Sequence, residues 1–292
     1  MQRREFLVGV AGLMTACSNP LNKTAGDAAV SHGDPDALRT WMRLAGALDD
    51  RLVIWWMDGV RYGVVNARST PLYGMKIALF QRFFEQPDGT WKIAMFELTY
   101  YSDLQTGALL TSYENPYTGV SNRVRHVRLG PEVRLQKADG QWPDPTDPMM
   151  QSVVKDFTVR QGPATVHGDT IWIPTAVEAR LKLPADKIPE IYLSHYTTVS
   201  GSVSQALDPQ LLSAPCTLAF QNVLRWEPWM AMGDHPGHLM SRAHGRKLES
   251  VDALPADYRA MAASVHPKLI ADPLATLAKP VAKIMAAGAK TN

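Results

Sequence analysis

From Leu52 onward, short runs of β-branched and aromatic residues are separated by clusters of Asp, Asn, Pro and Gly, and this punctuation constrains the fold more than any other feature. Leu52 to Met57 and Val60 to Val65 flank Asp58-Gly59, a dipeptide that accepts the positive φ angles of a two-residue hairpin turn. Leu72 to Phe84 and Trp91 to Tyr101 flank Gln86-Pro87-Asp88-Gly89-Thr90, a second hairpin signal. Asp103 to Gly107 marks a third turn, and Asn115-Pro116-Tyr117-Thr118-Gly119 a fourth between Ala108 to Tyr113 and Val120 to Leu129. After a Pro-rich break at Trp142 to Pro148, the runs Val153 to Arg160, Ala164 to Val166, Thr170 to Ile173, Glu190 to Val203 and Cys216 to Trp226 continue the pattern. Strands joined by short turns describe an antiparallel meander, and a long meander loses its unpaired edges most simply by closing. The expected fold is mainly β, a closed or nearly closed antiparallel β-barrel. No long helices alternate with strands between residues 36 and 250, which argues against a parallel nucleotide-binding sheet.

The two ends differ from this middle. Asp36 to Leu48 has helical spacing at Leu38, Trp41, Leu44 and Ala45 and predicts a short helix closing one end of the barrel. Tyr258 to Ser264 and Leu269 to Ala287 favour helix, cut short at Pro267, Pro273 and Pro280. The resulting organisation is a leader over residues 1–17, a flexible linker over 18–35, the barrel domain over 36–253 and a helical C-terminal tail over 254–292.

Met1-Gln2-Arg3-Arg4-Glu5-Phe6-Leu7 resembles a twin-arginine export signal, although Gln2 and Val8 stand where Ser or Thr and Lys are commoner. The following stretch, Leu7 to Ala16, is about 15 Å long as a helix, half a bilayer core, so it is a signal and not an anchor. Met14-Thr15-Ala16-Cys17 resembles a lipoprotein box, which would lipidate Cys17 and tether the mature chain to a membrane surface. The expected location is the periplasm or cell envelope.

The formal net charge of +2 falls by one when Arg3, Arg4 and Glu5 leave with the leader, and no Lys or Arg stripe marks a nucleic-acid binder. Only Cys17 and Cys216 are present. Once Cys17 is lipidated Cys216 has no disulfide partner, and among Ala214, Pro215, Leu218 and Ala219 it reads as a small buried hydrophobe, with a nucleophile as the alternative. Phosphate-binding Gly-rich loops and a Gly-x-Ser-x-Gly elbow are absent, so kinase and serine hydrolase chemistry fall away and no cofactor is expected.

The segment Trp226-Glu227-Pro228-Trp229-Met230-Ala231-Met232-Gly233-Asp234-His235-Pro236-Gly237-His238-Leu239, with Arg242 and Gly245-Arg246-Lys247-Leu248, resembles the C-terminal signature of a bacterial family known as domain of unknown function 1838. Trp55-Trp56 with Gly59, Tyr62-Gly63-Val64, Pro87-Asp88-Gly89, Tyr101 with Asp103 and Thr106-Gly107, Asn115-Pro116-Tyr117-Thr118-Gly119 and His126-Val127 agree with it, in order, over most of residues 36 to 253. Family members often carry twin-arginine signals. The resemblance implies kinship and brings no activity with it.

Alternation along Trp91 to Tyr101 places Glu97 on one face with Trp91, Ile93 and Met95. If that face is inward, Glu97 is either an acid or base of raised pKa or a buried partner of Arg123 or Arg125. His195 shares a face with Ile191, Leu193, Thr197 and Val199, as a cavity residue or a satisfied core histidine. His126 beside Arg125 and Arg128 either binds an anionic group or coats the outside. His235-x-x-His238 with His244 either gathers a metal ion, as in a metal-dependent hydrolase, or belongs to a loop. Pro236 and Gly237 favour the loop, so no metal is assigned.

The leading expectation is an exported, cofactor-free lyase, isomerase or hydratase with a lipocalin-like barrel, acting on an apolar or aromatic small molecule. Glu97, Tyr117, His126, His195 and His238 are its candidate catalytic residues, and Trp56, Tyr62, Tyr101, Trp229 and Arg242 its candidate substrate-binding residues. The alternative is a membrane-tethered carrier that binds such a molecule unchanged.

Overall fold

The computed structural model describes residues 35–136, 154–182 and 190–288; the leader with Cys17, most of the linker and the Pro-rich break lie outside them. Helix α1 (Pro35–Ala45) leads into a hairpin of β1 (Val53–Val65) and β2 (Arg68–Glu85), which continues into β3 (Trp91–Ser102). The short pair β4 (Ser112–Glu114) and β5 (Ser121–Arg123) forms a separate two-stranded sheet, before β6 (Val127–Gln136) returns to the main one. The second half contributes β7 (Val154–Gln161), β8 (Thr165–His167), β9 (Thr170–Leu181), β10 (Ile191–Ser202), the one-turn helix α2 (Val203–Leu207), β11 (Thr217–Leu224) and β12 (His238–Leu248). Helices α3 (Ala256–Val265), α4 (Pro267–Ala271) and α5 (Pro273–Gly288) end the described chain.

Ten strands make one sheet in the order β6-β3-β2-β1-β12-β11-β10-β9-β7, with β8 attached to β9 and every ladder antiparallel. The expected antiparallel, mainly β architecture is therefore present. Closure is not: among the described residues no ladder joins the two ends of the path, β6 and β7. The sheet nevertheless curls strongly. Six strand spacings separate β6 from β10, roughly 30 Å if the sheet were flat. Yet Ile93 and Met95 of β3 and Ile171 and Ile173 of β9, equally far apart along the path, belong to one buried cluster on the concave face.

Several turns differ from expectation in an instructive way. Asp58-Gly59 is not a turn, because β1 runs straight through it and pairs with β12 along its length. Gly59 lies so close to the Arg242 carbonyl and Ala243 of β12 that any Cβ would collide, so glycine serves strand-to-strand approach there. The hairpin turn falls at Asn66-Ala67, whose φ angles of 50° and 61° give the double left-handed geometry of a type I′ turn. The turns at Pro87 to Gly89, Asp103 to Gly107 and Asn115 to Gly119 form where expected, each with a positive-φ glycine at its end. Pro280 does not interrupt the last helix, whereas Pro267 and Pro273 stand at helix starts, where the missing N–H costs nothing.

Two apolar cores result. The concave face gathers Trp55, Met57, Tyr73, Ile93, Met95, Ile173, Val199 and Leu239 over a base formed by α1. On the convex face of β1–β3, residues such as Ile54, Trp56, Phe80, Phe96 and Tyr100 are covered by Tyr258, Met261, Leu277 and Ile284 of the C-terminal helices. Lys247 fastens α1 to the sheet, donating from Nζ to the carbonyls of Arg43 and Gly46 at 2.9 and 2.8 Å and to Ser213 Oγ at 2.9 Å. Burial pulls its pKa down to about 8.

Candidate functional site

Pairing register aligns a row of side chains across the concave face. Tyr73 on β2 faces Arg61 on β1, Arg61 faces Ser241 on β12, Ser241 faces Asn222 on β11, and Asn222 faces His195 on β10. Directly opposed residues in antiparallel ladders lie about 5 Å apart at Cα, so these five form a continuous band, and its last four members are polar. Each holds the inward phase of its strand: Val53, Trp55 and Met57 precede Arg61, Leu239 and Ala243 flank Ser241, and Val199 shares the face of His195. Such a band in an otherwise apolar wall is expensive to desolvate and stays only where its charges are matched.

Matching comes from the segment between β11 and β12. Arg61, 4% exposed, lies with Nη2 3.3 Å from Glu227 Oε1 and 3.2 Å from the Tyr101 hydroxyl, and with Nη1 3.4 Å from Asn222 Oδ1. Tyr101 donates to Glu227 Oε1 at 2.5 Å, and Trp229 donates from Nε1 to Glu227 Oε2 at 2.6 Å. Burial alone would lower the Arg61 pKa, but Tyr101, Tyr73 and Glu227 reverse it and hold the guanidinium charged. Burial also raises the Tyr101 hydroxyl well above its ordinary value, so it stays a donor. Tyr73, Tyr101, Tyr113 and Trp229 pack their rings around this clamp, with centroids 4.8 to 6.1 Å apart. Two buried groups in the band, Arg61 Nε and Ser241 Oγ, make no hydrogen bond among the described residues. Buried donors are rarely left so, at a cost of about 1–3 kcal/mol each, and together they suit a ligand oxygen.

Glu97 and His195 face the same hollow. Glu97 lies on the concave face of β3, is surrounded by protein, and accepts from Thr99 Oγ1 at 2.8 Å. Burial raises its pKa against the opposing pull of Thr99, Arg134 and Arg61. His195 sits edge-on to Phe220 at 5.6 Å, and burial together with Arg61 and Arg134 lowers its pKa to about 4, leaving it neutral. Both keep partial solvent contact on the concave face.

The other sequence candidates are scattered. Tyr101 and Trp229 belong to the clamp. Trp56 faces the convex core instead, 4.9 Å from the Tyr258 ring, because β1 is buried on both sides and its alternation alone could not tell inside from outside. Tyr62 and His238 take the phase opposite to Arg61 and Ser241, and Arg242 is exposed on that same outer side. His126 accepts from the Tyr101 backbone N–H at 3.2 Å and lies beside its strand, away from the hollow. Tyr117 packs on Trp226 and His235, at 5.3 and 5.1 Å, and its hydroxyl has no partner. Six residues separate His238 from His244 along β12, about 20 Å, so these histidines cannot share an ion. Among the described residues no three His, Cys, Asp or Glu side chains converge on a metal position. Cys216 is buried and its thiol pKa is pushed up to about 11, as for an inert core residue.

Arg61, Asn222, Ser241 and Glu227 were missed by sequence reasoning. A signal existed for Arg61, which occupies the second inward position after Met57 in the phase of Val53, Trp55 and Met57, and for Glu227, the one charge in Trp226-Glu227-Pro228-Trp229. The motif segments meet in space: Asn115 donates to the Met230 carbonyl at 2.9 Å, bringing the Asn-Pro-Tyr-Thr-Gly turn against the tryptophan segment that supplies Glu227. Compared with curated proteins, the chain finds no match. The profile of the family described as "Protein of unknown function (DUF1838)" matches residues 49–281, reaching past the motifs into the C-terminal helices, and the chain belongs to that family.

Proposed function

We propose that the curled sheet is a nearly closed, lipocalin-like barrel, that its hollow takes a small molecule with an apolar or aromatic body and one carbonyl or carboxylate oxygen, and that Glu97 and His195 move a proton on it. The observation that carries this reading is the polar row across the concave face, which ends at His195, shares that face with Glu97 and holds Arg61 Nε and Ser241 Oγ buried without a hydrogen bond among the described residues. One carboxyl pushed up and one imidazole pushed down bring two proton affinities toward each other, the condition for a shuttle. The ligand oxygen accepts from Arg61 Nε–H and Ser241 O–H, which stabilises charge developing on it. Neutral His195 removes a proton from the carbon beside that oxygen and the Glu97 carboxyl, whose protonated form burial favours, returns one elsewhere, a lyase, isomerase or hydratase step that needs no cofactor.

The leader supplies the address in this reading: twin-arginine export, with Cys17 lipidated and the domain held at a membrane surface in the periplasm or cell envelope. Cys17→Ala should release the protein from the membrane fraction, and an unchanged distribution overturns the anchor. The chemistry is tested by incubating the purified protein with a metabolite extract. Depletion of one compound with appearance of a product, lost in both Glu97→Gln and His195→Asn, is expected. A compound retained but unchanged makes the protein a carrier, and neither depletion nor retention removes both readings.

A further inference from the structure

Outside the hollow, a second cavity of about 720 Å³ opens beside the end of β3, between the segment linking β5 to β6, the turn Pro228–Met230 and the junction of α3 with α4. Its volume is that of a small-molecule pocket. Arg123, Arg125, His126 and His266 line it with Trp229 and Val265, and no acidic side chain contributes. The side chains of Arg123 and Arg125 are both exposed and, among the described residues, make no hydrogen bond or ion pair, whereas Arg39, Arg51, Arg82 and Arg134 each hold a carboxylate. They flank the buried Val124 and both line the cavity, and two residues of chain span at most about 7 Å, a spacing that brackets one carboxylate or phosphate.

The rest of the wall is fixed in place. His126 Nδ1 accepts from the Tyr101 N–H at 3.2 Å, and His266 Nδ1 lies 2.9 Å from the Tyr100 hydroxyl. Trp229, anchored through Nε1 to Glu227 and packed by Tyr73, Tyr101 and Tyr113, contributes aromatic surface to the cavity wall. We propose that this cleft is a binding site for a planar aromatic anion, its ring on Trp229 and Val265 and its carboxylate between Arg123 and Arg125. The site is separate from the hollow and does not depend on the chemistry proposed there, although Trp229 and Glu227 connect the two walls.

Titration calorimetry with 2-naphthoate, and with 2-naphthol as the uncharged counterpart, tests the assignment on the purified protein. One saturable naphthoate site in the micromolar to millimolar range is expected, with naphthol at least about tenfold weaker. Because both arginines are exposed, Arg123→Gln with Arg125→Gln should fold as the parent does, checked by circular dichroism, and should bind naphthoate at least about tenfold more weakly. Absence of saturable binding, equal binding of naphthol, or unchanged affinity in the double variant each overturns it. The last outcome places the anion elsewhere, and binding lost equally in Arg61→Met would place it in the hollow.

Discussion

Strands β1–β3 and strands β10–β11 belong to one sheet but are built by different rules. The first three are buried on both faces, between the concave core and the C-terminal helices, so they read as nearly continuous apolar runs. The second pair is covered on its concave face alone, and Tyr192 and Tyr196 of β10 stand 60% and 42% exposed on the other. A slab held from two sides can carry a buried cation rigidly, and Arg61 and Tyr101 are mounted there. A wall held from one side supplies groups that meet solvent, and His195 is mounted there.

The sharpest break in this comparison is Tyr258→Ala set against Tyr196→Ala. Tyr258 is fully buried, donates to the Leu98 carbonyl at 2.9 Å and packs on Trp56 and Tyr100, so its removal should cost about 3–5 kcal/mol in urea unfolding. Tyr196→Ala should stay within about 0.5 kcal/mol. Equal costs would mean that the helices are not a second core. Next in size is Glu227→Ala, which leaves Arg61 buried without its carboxylate and should cost about 2–4 kcal/mol. Double substitution of Arg61→Met with Glu227→Ala should recover much of that loss in the same experiment.

This division also decides what could be read from the sequence. In β3, alternation correctly puts Glu97 with Ile93 and Met95, but where both faces are apolar it cannot name the inner one, and a tryptophan such as Trp56 suits a pocket and the convex core equally well in sequence. Strand β12 escapes a reading by period because its inward residues, Ser241, Ala243 and Gly245, are small and its outward ones, Arg242, His244 and Arg246, are polar, so the apolar period is faint. That strand joins the two halves, and with it unseen the row from Arg61 to His195 could not be assembled. Turn chemistry was legible where glycine carried a positive φ and misleading at Gly59, where the same residue type answers to strand proximity.

The one-sided wall should reveal itself through pH. His195 protonates near pH 6.5 when unfolded and near 4 when folded, so between those values the unfolded chain binds more protons. Its contribution to stability is complete above pH 6.5 and is lost as pH falls toward 4. The full shift corresponds to roughly 3 kcal/mol, reduced by residual solvent contact to about 1–2 kcal/mol. His195→Asn should flatten the stability profile across that window, and an unchanged slope would move the histidine out of the hollow.

The smallest effect concerns the seam between slab and helices. Lys76 reaches from β2 to Asp58 at 3.3 Å and to Asp257 of α3 at 3.0 Å, with its ammonium 5.8 Å from the Trp56 ring. Burial works to lower its pKa, and the two carboxylates outweigh it, so the charged form is favoured in the fold and its contribution fades only as pH rises through the alkaline range. Both partners are half exposed, which limits the pair energy, so Lys76→Met should cost no more than about 1 kcal/mol. Raising the salt to about 1 M, where the screening length is near 3 Å, should shrink that cost further. A loss above that size, insensitive to salt, would show that the lysine stem and its packing on Trp56 hold the helices to the sheet more than its charge does.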